Sequence, residues 1–215
     1  MSSDKPLLFT LDGKIIVRAA ITQEDLERSY RLRYQVYCLK MGTENPDNFP
    51  DQQEKDSYDA NSISLLSLYE NKMIGMVRLI PDSTIGFYAE KDISFPQNIN
   101  RSKTVEISRL IAAPPKEIMR EFVRRKIRLA DIILEAAVIW CLQNKFTYWY
   151  GACNLPLYLH LTKELRWEFQ DLTKEPQKFH GTVVMPFILD LQNGKNTPFP
   201  YPVDENGQIH FPNEK

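Results

Sequence analysis

Two strand-like segments of this sequence each contain an arginine among apolar residues, and this pattern most constrains the fold. Arg78 lies within Met73–Pro81, and Arg109 lies within Thr104–Ala113. A buried arginine is rarely tolerated without a carboxylate partner or an anionic ligand. Arg33, on the apolar face of a predicted helix, needs a carboxylate partner or an anionic ligand for the same reason. Strict alternation places Arg78 with Ile74, Met76 and Ile80, and Arg109 with Val105, Ile107 and Ile111, opposite Glu106 and Ser108.

The segment Glu54-Lys55-Asp56-Ser57-Tyr58-Asp59 supplies three carboxylates within a long polar loop, residues 42–60. With Glu106, they are natural partners for the arginines. An ion-pair cluster that only fastens the loop to the sheet is one interpretation, and contact with a ligand is another. One carboxylate could also be a general base, since an ammonium must lose a proton before it attacks an acyl group. A metal site is disfavoured because the spacing matches no calcium-binding loop and no histidine lies nearby.

Composition predicts one large globular domain. Hydrophobic residues make up 43% of the chain and the net charge is −1, which disfavours a general nucleic-acid binder. No apolar run has the length of a membrane span, and the first residues lack the apolar core of a signal peptide. Cys38, Cys141 and Cys153 lie in apolar surroundings, which favours reduced thiols and a cytoplasmic location. We expect a domain over residues 1–195 and a tail over residues 196–215.

Hydrophobic periodicity predicts an α+β fold with helices on both faces of a mixed sheet. The first predicted helix begins after Thr22 and reaches about Lys40. Thr22 is its predicted N-cap, because Asp25 lies three residues further along the chain. The predicted strands are Lys14–Ala20, Ser62–Glu70, Met73–Pro81, Thr104–Ala113, Phe146–Cys153 and His180–Leu191. The other predicted helices are Glu117–Gln143, broken near Arg124, and Leu157–Arg166.

An ordered series of motifs resembles the autoinducer-synthase-like branch of the GNAT acyltransferases. The motifs are Arg33-Tyr34-Gln35-Val36-Tyr37-Cys38, Glu54-x-Asp56-x-x-Asp59, Gly75-x-Val77-Arg78-Leu79 and Glu106-Ile107-Ser108-Arg109-Leu110, with Phe179-His180-Gly181 and Pro186 further on. That branch contains acyl-homoserine-lactone synthases, N-acyl amino acid synthases and the acyltransferases associated with PEP-CTERM/exosortase systems, which the motifs resemble in particular. The resemblance spans roughly residues 15–190 and implies a GNAT fold.

The resemblance also implies a site and a reaction. The reaction is direct transfer of a fatty acyl group from a thioester to an amine, with no tightly bound cofactor. Glu54 is the candidate base, backbone N–H groups at a strand bulge near Ser108–Ile111 polarise the thioester, and Ile107 and Leu110 contact the chain. The implied catalytic residues are Glu54, Glu106, Ser108 and Arg109, and the implied substrate-binding residues are Arg33, Tyr37, Asp56, Asp59, Arg78, Ile107 and Leu110.

Two departures from the resembled pattern affect the substrates. Thr43 stands where autoinducer synthases carry a tryptophan, which favours an amino acid or other small amine over S-adenosylmethionine. Ala112-Ala113-Pro114-Pro115 replaces a glycine-rich pyrophosphate loop, which favours acyl-carrier protein over acyl-CoA as the donor. A basic stripe of Arg120, Arg124, Arg125 and Arg128 is the candidate carrier-docking surface, although a solvated helix face is the alternative.

Two other functions remain open from the sequence. One is a short-chain, acyl-CoA-dependent N-acetyltransferase, which predicts a shallow acyl pocket. The other is a non-catalytic module that binds an acyl chain or a carrier protein, in which the carboxylates only stabilise the loop. His160, His180 and Cys153 are expected to be structural, since no nucleophile–histidine arrangement accompanies them.

Overall fold

The computed structural model of the protein describes residues 9–11, 15–125, 128–179 and 181–193. The predicted tail, residues 196–215, lies outside the described residues, as does His180. The strands are β1 Phe9–Leu11, β2 Ile15–Ala19, β3 Ile63–Tyr69, β4 Lys72–Pro81, β5 Thr104–Ala112, β6 Tyr148–Asn154, β7 Gln170–Asp171, β8 Gln177–Phe179 and β9 Thr182–Asp190. The α-helices are α1 Gln23–Arg33, α2 Lys116–Arg125, α3 Leu129–Gln143 and α4 Leu155–Leu159.

Shorter helical segments extend or connect these elements. Helix α1 continues as a π-helical segment, Tyr34–Lys40, and α4 continues as another, His160–Glu164. Among the described residues, short 3₁₀ turns lie in the connecting segments Pro46–Asn48, Asp59–Asn61, Tyr88–Lys91 and Arg101–Lys103. The α+β class and the order of the predicted elements are confirmed, whereas the three short strands β1, β7 and β8 were not predicted.

Local sequence signals explain where the helices begin and end. The Thr22 side chain caps α1 by accepting from the Asp25 N–H, and the Asp25 carboxylate accepts from the Thr22 N–H, as the spacing predicts. Asp25 also pairs with Arg18 of β2 at 2.6 Å, which ties the start of the helix to the sheet. The predicted break in the long helical region is confirmed, because α2 ends at Arg125 and α3 begins at Leu129.

The described strands form one sheet in the order β1-β2-β3-β4-β5-β6-β9-β7, with β8 also paired to β9. Every neighbouring pair is antiparallel except β5 and β6. These two parallel strands pair only between Thr104–Glu106 and Tyr148–Tyr150, although both continue further. A Cβ on Gly151 would lie 2.8 Å from the Ile107 carbonyl oxygen, so a residue without a side chain is required where the pairing ends.

The sheet carries a separate core on each face. On one face α3 covers residues such as Leu65, Val77 and Leu79. On the other face Leu66, Met76 and Ile111 pack with Leu32, Val36 and Tyr37 of the first helical region. Burial of both faces explains why β3 and β4 are apolar almost throughout.

Two irregularities correct the strict alternation assumed from the sequence. The β3–β4 register shifts between Ser67 and Leu68, and Ile74 therefore packs in the α3-side core rather than beside Met76. Arg78 of β4 pairs with Ser108 of β5, and Met76 of β4 pairs with Ile111 of β5. One residue of β4 therefore lies opposite two residues of β5, so β5 contains one extra residue. Arg109 therefore does not share a face with Val105 and Ile107. Each bulge exchanges the faces of the residues beyond it.

Helix α3 buries a carboxyl group that has no ion pair or hydrogen bond with any residue the structure describes. Glu135 is 8% exposed, and burial raises its pKa to about 7 from an ordinary 4.5. The folded chain therefore binds this proton more tightly than the unfolded chain. The stability contributed by Glu135 is present at low pH and is lost as the pH rises from about 4.5 to about 7.

We expect Glu135→Gln to stabilise the chain above pH ~7 by about 1–3 kcal/mol, with a much smaller effect near pH ~5. Chemical denaturation at both pH values measures this difference. Glu117→Gln, which changes an exposed glutamate of α2, is the control and should alter stability by less than about 0.5 kcal/mol. Equal effects of Glu135→Gln at the two pH values would contradict the assignment.

Candidate active site

The three predicted arginines and the acidic segment form one buried cluster. Arg33 donates to Glu54 and, at 2.6 Å, to Asp59. Arg78 donates from Nη1 to Asp59 at 3.1 Å. The remaining ion pairs join Arg78 Nη1 to Asp56 Oδ1 at 2.8 Å, Arg109 Nη2 to Glu54 Oε1 at 2.9 Å, and Arg109 Nη2 to Glu44 Oε1 at 3.2 Å. The prediction that these charges come together is therefore confirmed.

Burial makes these ion pairs strongly interdependent. Arg33 and Arg78 have no exposed surface, and Glu54 is 1% exposed. Burial raises the pKa of Glu54, but hydrogen bonds from Arg33 and the nearby Arg109 outweigh that effect and hold it below 4.5. The pKa of Asp59 is lowered in the same way, as the charges of Arg33 and Arg78 overcome the effect of burial. Both carboxyl groups are therefore ionised at neutral pH.

Helix α1 and its π-helical extension position the acidic loop. The Glu54 N–H donates to the Tyr30 carbonyl at 3.1 Å, which places the Glu54 side chain beside Arg33. Tyr37, in the extension, lies with its ring 5.2 Å from the Arg109 guanidinium and donates its hydroxyl to the Leu110 carbonyl at 3.3 Å. The first helical region thus contacts both the acidic loop and the bulge in β5.

The bulge turns Arg109 toward the acidic cluster. Its φ is +52°, a left-handed conformation that a bulky side chain seldom adopts. Residues 109 and 110 lie between the paired positions Ser108 and Ile111, where β4 offers only Val77. The bulge expected at Ser108–Ile111 is confirmed, and its left-handed residue is held by the Arg109–Glu54 ion pair.

A cavity of about 380 Å³ opens where β5 and β6 separate. It is charged on the α1 side, where Glu44, Glu106 and Arg109 line it. On the α3 side its walls are apolar. Leu134 of α3, Leu157 and Leu161 of the fourth helical region, and the aromatic residues Trp149, Trp167, Phe169 and Phe187 line that part. The cavity therefore passes through the sheet and joins a charged compartment to an apolar one.

Glu106 is the buried carboxyl group on the cavity wall. It is 2% exposed, and its Oε2 accepts from the Ala89 N–H at 3.0 Å. Burial raises its pKa to about 7, although the N–H groups of Ala89 and Tyr88 and the charge of Arg78 act in the opposite direction. Its neighbour Ser108 accepts from Arg78 Nε at 3.1 Å, so the Ser108 hydroxyl proton can be donated into the cavity.

The predicted site residues divide into two groups. Those that line the cavity are Tyr37, Glu106, Ile107, Ser108, Arg109 and Leu110. Those that do not line it are Arg33, Glu54, Asp56, Asp59 and Arg78, which form the buried network behind it. Glu44, Tyr88 and Trp167 also line the cavity and were not predicted, because their positions depend on long-range packing.

The predicted basic stripe is exposed on α2. Arg120 and Arg124 are exposed, and so are the apolar residues Met119 and Val123, at 43% and 71%. Arg128 lies between α2 and α3 and pairs with Glu164 at 3.4 Å. The side chain of Arg125 lies outside the described part of the chain. The stripe therefore combines positive charge with exposed apolar surface.

The described residues contain no helix that is both long enough and apolar enough to cross a bilayer. Among the same residues, no three His, Cys, Asp or Glu side chains are grouped as metal ligands. His160 is buried and contacts Asp131 at 2.9 Å and Glu164 at 2.8 Å, outside the cavity lining.

The buried network predicts a large difference between two arginines of the same helix. Arg33→Met leaves Glu54 and Asp59 without a main partner in the interior, and we expect the free energy of unfolding to fall by about 3–5 kcal/mol. Arg31→Met removes an exposed pair with Glu27 and should cost about 0–1 kcal/mol. Urea denaturation of both variants measures the difference, and comparable losses would contradict a structural role for the network.

Comparison with known proteins agrees with this geometry. Residues 32–127 match the family of the acetyltransferase (GNAT) domain. No curated protein matches the sequence significantly.

Solved structures share the fold over most of the chain. The acyl-homoserine lactone synthase LasI is 17% identical, with a TM-score of 0.64 over 85% of this chain and 92% of that one. The CoA-dependent acyl-homoserine lactone synthase BjaI, solved with SAM and isopentyl-CoA, is 18% identical, with a TM-score of 0.62 over 85% of each chain. FeeM, an N-acyl amino acid synthase from uncultured soil microbes, is 13% identical, with a TM-score of 0.59 over 84% of this chain and 92% of that one.

At these identities the structural likeness establishes the fold alone. The matched residues include the bulged β5 and the charged side of the cavity, whereas β6 and most of the apolar wall lie beyond residue 127. Residues 32–127 are therefore similar to a GNAT acetyltransferase domain, and the fold over most of the chain is like that of the acyl-homoserine lactone synthases and FeeM.

Proposed function

We propose that this chain transfers a fatty acyl group from a thioester to the amine of an amino acid or a similar small molecule. The observation that carries the proposal is the two-part cavity, charged beside Glu106 and Arg109 and apolar beside Trp149 and Leu161. Its volume of about 380 Å³ and its apolar wall favour a long acyl chain over the shallow pocket expected for acetyl transfer. The similarity in fold to FeeM and to the lactone synthases is consistent with an N-acyl product.

The bulge in β5 is the proposed site of the thioester carbonyl. Residues 109 and 110 have no paired partners on β4, which leaves their N–H groups available to polarise a carbonyl oxygen. Ser108 supplies a further hydroxyl donor at the same wall. The acyl chain then passes Ile107 and Leu110 into the apolar compartment, and the thiol arm leaves along the opening between β5 and β6.

Glu106, rather than Glu54, is the proposed general base. The carboxylate oxygens of Glu54 accept from Arg33 and Arg109, which stabilises the ionised form too strongly for Glu54 to accept a proton. Glu54 also does not line the cavity. Glu106 faces the cavity and has a pKa of about 7, near the operating pH. Glu106 takes a proton from the ammonium group, the freed amine attacks the carbonyl carbon, and the intermediate collapses to the amide as a second N–H proton passes to the departing thiolate, which leaves as the thiol.

Arg109 is the proposed contact for the carboxylate of an amino acid acceptor. It is the member of the arginine network that lines the cavity, whereas Arg33 and Arg78 are fully buried. Glu44, also on the cavity wall, is suited to an ammonium group. Glu54 then positions Arg109, and the rest of the network holds Glu54.

A cytoplasmic location stays a prediction.

We expect cells that overproduce the chain to accumulate a new N-acyl species, and cells that produce Glu106→Gln to lack it. Mass spectrometry of lipid extracts makes the comparison. With the purified enzyme, Glu106→Gln should lower kcat by about 10²–10⁴ while circular dichroism remains native. The wild-type rate should rise with pH through about 7, because the base acts only after Glu106 loses its proton. A retained rate in Glu106→Gln would refute the base assignment.

Acyl-carrier protein is the proposed donor, with acyl-CoA as the alternative. Ala112 lines the cavity, and only residues 113–115 separate it from the first turn of α2. A carrier docked on Arg120 and Arg124 would therefore lie close to the cavity opening. Carrier proteins are acidic, and surface charge pairs of this kind raise association rates more than they change chemistry.

The double charge reversal Arg120→Glu and Arg124→Glu should raise KM for acyl-carrier protein about tenfold at low salt and leave KM for matched acyl-CoA unchanged. Steady-state assays with both donors give the result. Arg31→Glu, at an exposed position of α1, is the control. Equal effects on the two donors would remove the evidence for docking on α2.

A further inference from the structure

The segment between β4 and β5 contains a half-buried charged cluster centred on Arg101. Arg101 donates to both carboxylate oxygens of Glu90, from Nη1 at 2.7 Å and from Nη2 at 2.5 Å. Its Nε donates to Asp82 at 2.7 Å. The three side chains are 35%, 27% and 30% exposed, and none of them lines the cavity. The cluster therefore lies outside the machinery of the proposed reaction.

Arg101 also contacts two aromatic rings. Its guanidinium carbon lies 4.6 Å from the centroid of the Phe87 ring and 5.0 Å from that of the Phe95 ring. A planar guanidinium can form two parallel bonds to a carboxylate and stack on a ring at the same time, which an ammonium group cannot do. We call this arrangement of Arg101 with Asp82, Glu90 and Phe87 the Arg101 clamp.

The Arg101 clamp holds the turn that contacts Glu106. Glu90 Oε2 accepts from the Phe87 N–H at 2.8 Å, at the start of the 3₁₀ turn Tyr88–Lys91. Within that turn the Ala89 N–H donates to Glu106 Oε2 at 3.0 Å, and the Tyr88 N–H donates to the same carboxyl group. Because Glu90 directly follows these two donors in the chain, a displacement of Glu90 moves them as well.

Gly86 shows how closely the clamp is packed. Its φ is +71°, in the left-handed region that favours glycine. A Cβ at this position would lie 2.9 Å from Glu90 Oε2 and 3.2 Å from Arg101 Nη2. A side chain here would therefore push the Glu90 carboxylate away from its place against Arg101.

Four other ionisable groups near Glu106 come from further elements. Arg78 of β4 and Arg109 of β5 favour its ionised form. Tyr58 of the acidic loop and Tyr150 of β6 interact with its charge, and burial raises the pKa of both phenols above the ordinary 10. These four groups keep one charge state around pH ~7, so a titration in that range reports Glu106 itself.

We propose that Arg101 is a positioning residue for Glu106, because its hold on Glu90 fixes the turn whose N–H groups bind the Glu106 carboxyl group at the cavity wall. This inference rests on the proposed function, which makes Glu106 the base. Hydrogen bonds to a carboxylate favour its ionised form, so the clamp lowers the pH at which Glu106 can accept a proton. Without the clamp the donors withdraw while Glu106 stays buried, and it remains protonated to a higher pH.

The titration of Glu106 can be measured without turnover. Carboxyl-labelled glutamate gives an NMR signal for each side-chain carboxyl group, and Glu106→Gln identifies the signal of Glu106. Its midpoint should lie at about 7 in the wild type. In Arg101→Gln we expect the midpoint to rise by about 1–2 pH units, the value of a hydrogen bond to a charged group. A midpoint that stays in place or falls overturns the inference.

A second variant and a control accompany this titration. Gly86→Ala disturbs the same clamp from the side of the glycine and should also raise the midpoint. Arg18→Gln removes a comparable pair, since Arg18 donates to both oxygens of Asp25 at 2.6 and 2.7 Å and does not line the cavity. It should lower the melting temperature and leave the Glu106 midpoint unchanged. An equal shift in Arg18→Gln would indicate general loosening and would overturn the positioning role.

The pH dependence of kcat tests the same step in the reaction. For Arg101→Gln we expect kcat to fall about 5- to 50-fold at pH ~7 and to recover above pH ~9, where Glu106 is ionised again. Arg101→Lys, which keeps the charge without the paired bonds, should fall between the wild type and Arg101→Gln. A kcat that stays low at high pH contradicts the inference. A raised Glu106 midpoint in a chain that makes no N-acyl product would instead refute the proposed transfer and leave the clamp standing.

Discussion

The pairing of three buried arginines with the acidic loop is the interaction on which the rest of the site depends. Arg33 comes from α1, Arg78 from β4 and Arg109 from β5, and carboxylates of residues 44–59 join them. Each charge would be costly in the interior without its partners. The network therefore holds the helix, the loop and two strands in one arrangement, and it does so directly behind the cavity.

This network also fixes the strained residue of the bulge. Arg109 adopts a left-handed backbone, and its guanidinium is held by Glu54 and by the rings of Tyr37 and Tyr88. The bulge and the early end of β5–β6 pairing lie next to each other in the sheet. The buried charges and the strained backbone thus lie next to the opening between β5 and β6.

Much of the site was predictable because its residues are out of place in apolar strands. Arginines at residues 78 and 109 need carboxylate partners if they are buried, and the acidic loop at residues 54–59 supplies three carboxylates. Strict alternation failed at Ile74 and at Arg109, since a single extra residue in one strand exchanges the faces beyond it. The local sequence signal for the first of these bulges is Gly75, because an isolated glycine inside a strand often marks a bulge.

The sequence by itself determined the α+β order, the charge cluster and the implied family. Only the tertiary structure decided which carboxyl group faces the cavity. Glu54 is neutralised by two arginines from elements far apart in sequence, while Glu106 is buried with backbone N–H partners and a raised pKa. Hydrogen-bond satisfaction and desolvation depend on contacts between distant segments, and a linear pattern does not specify them.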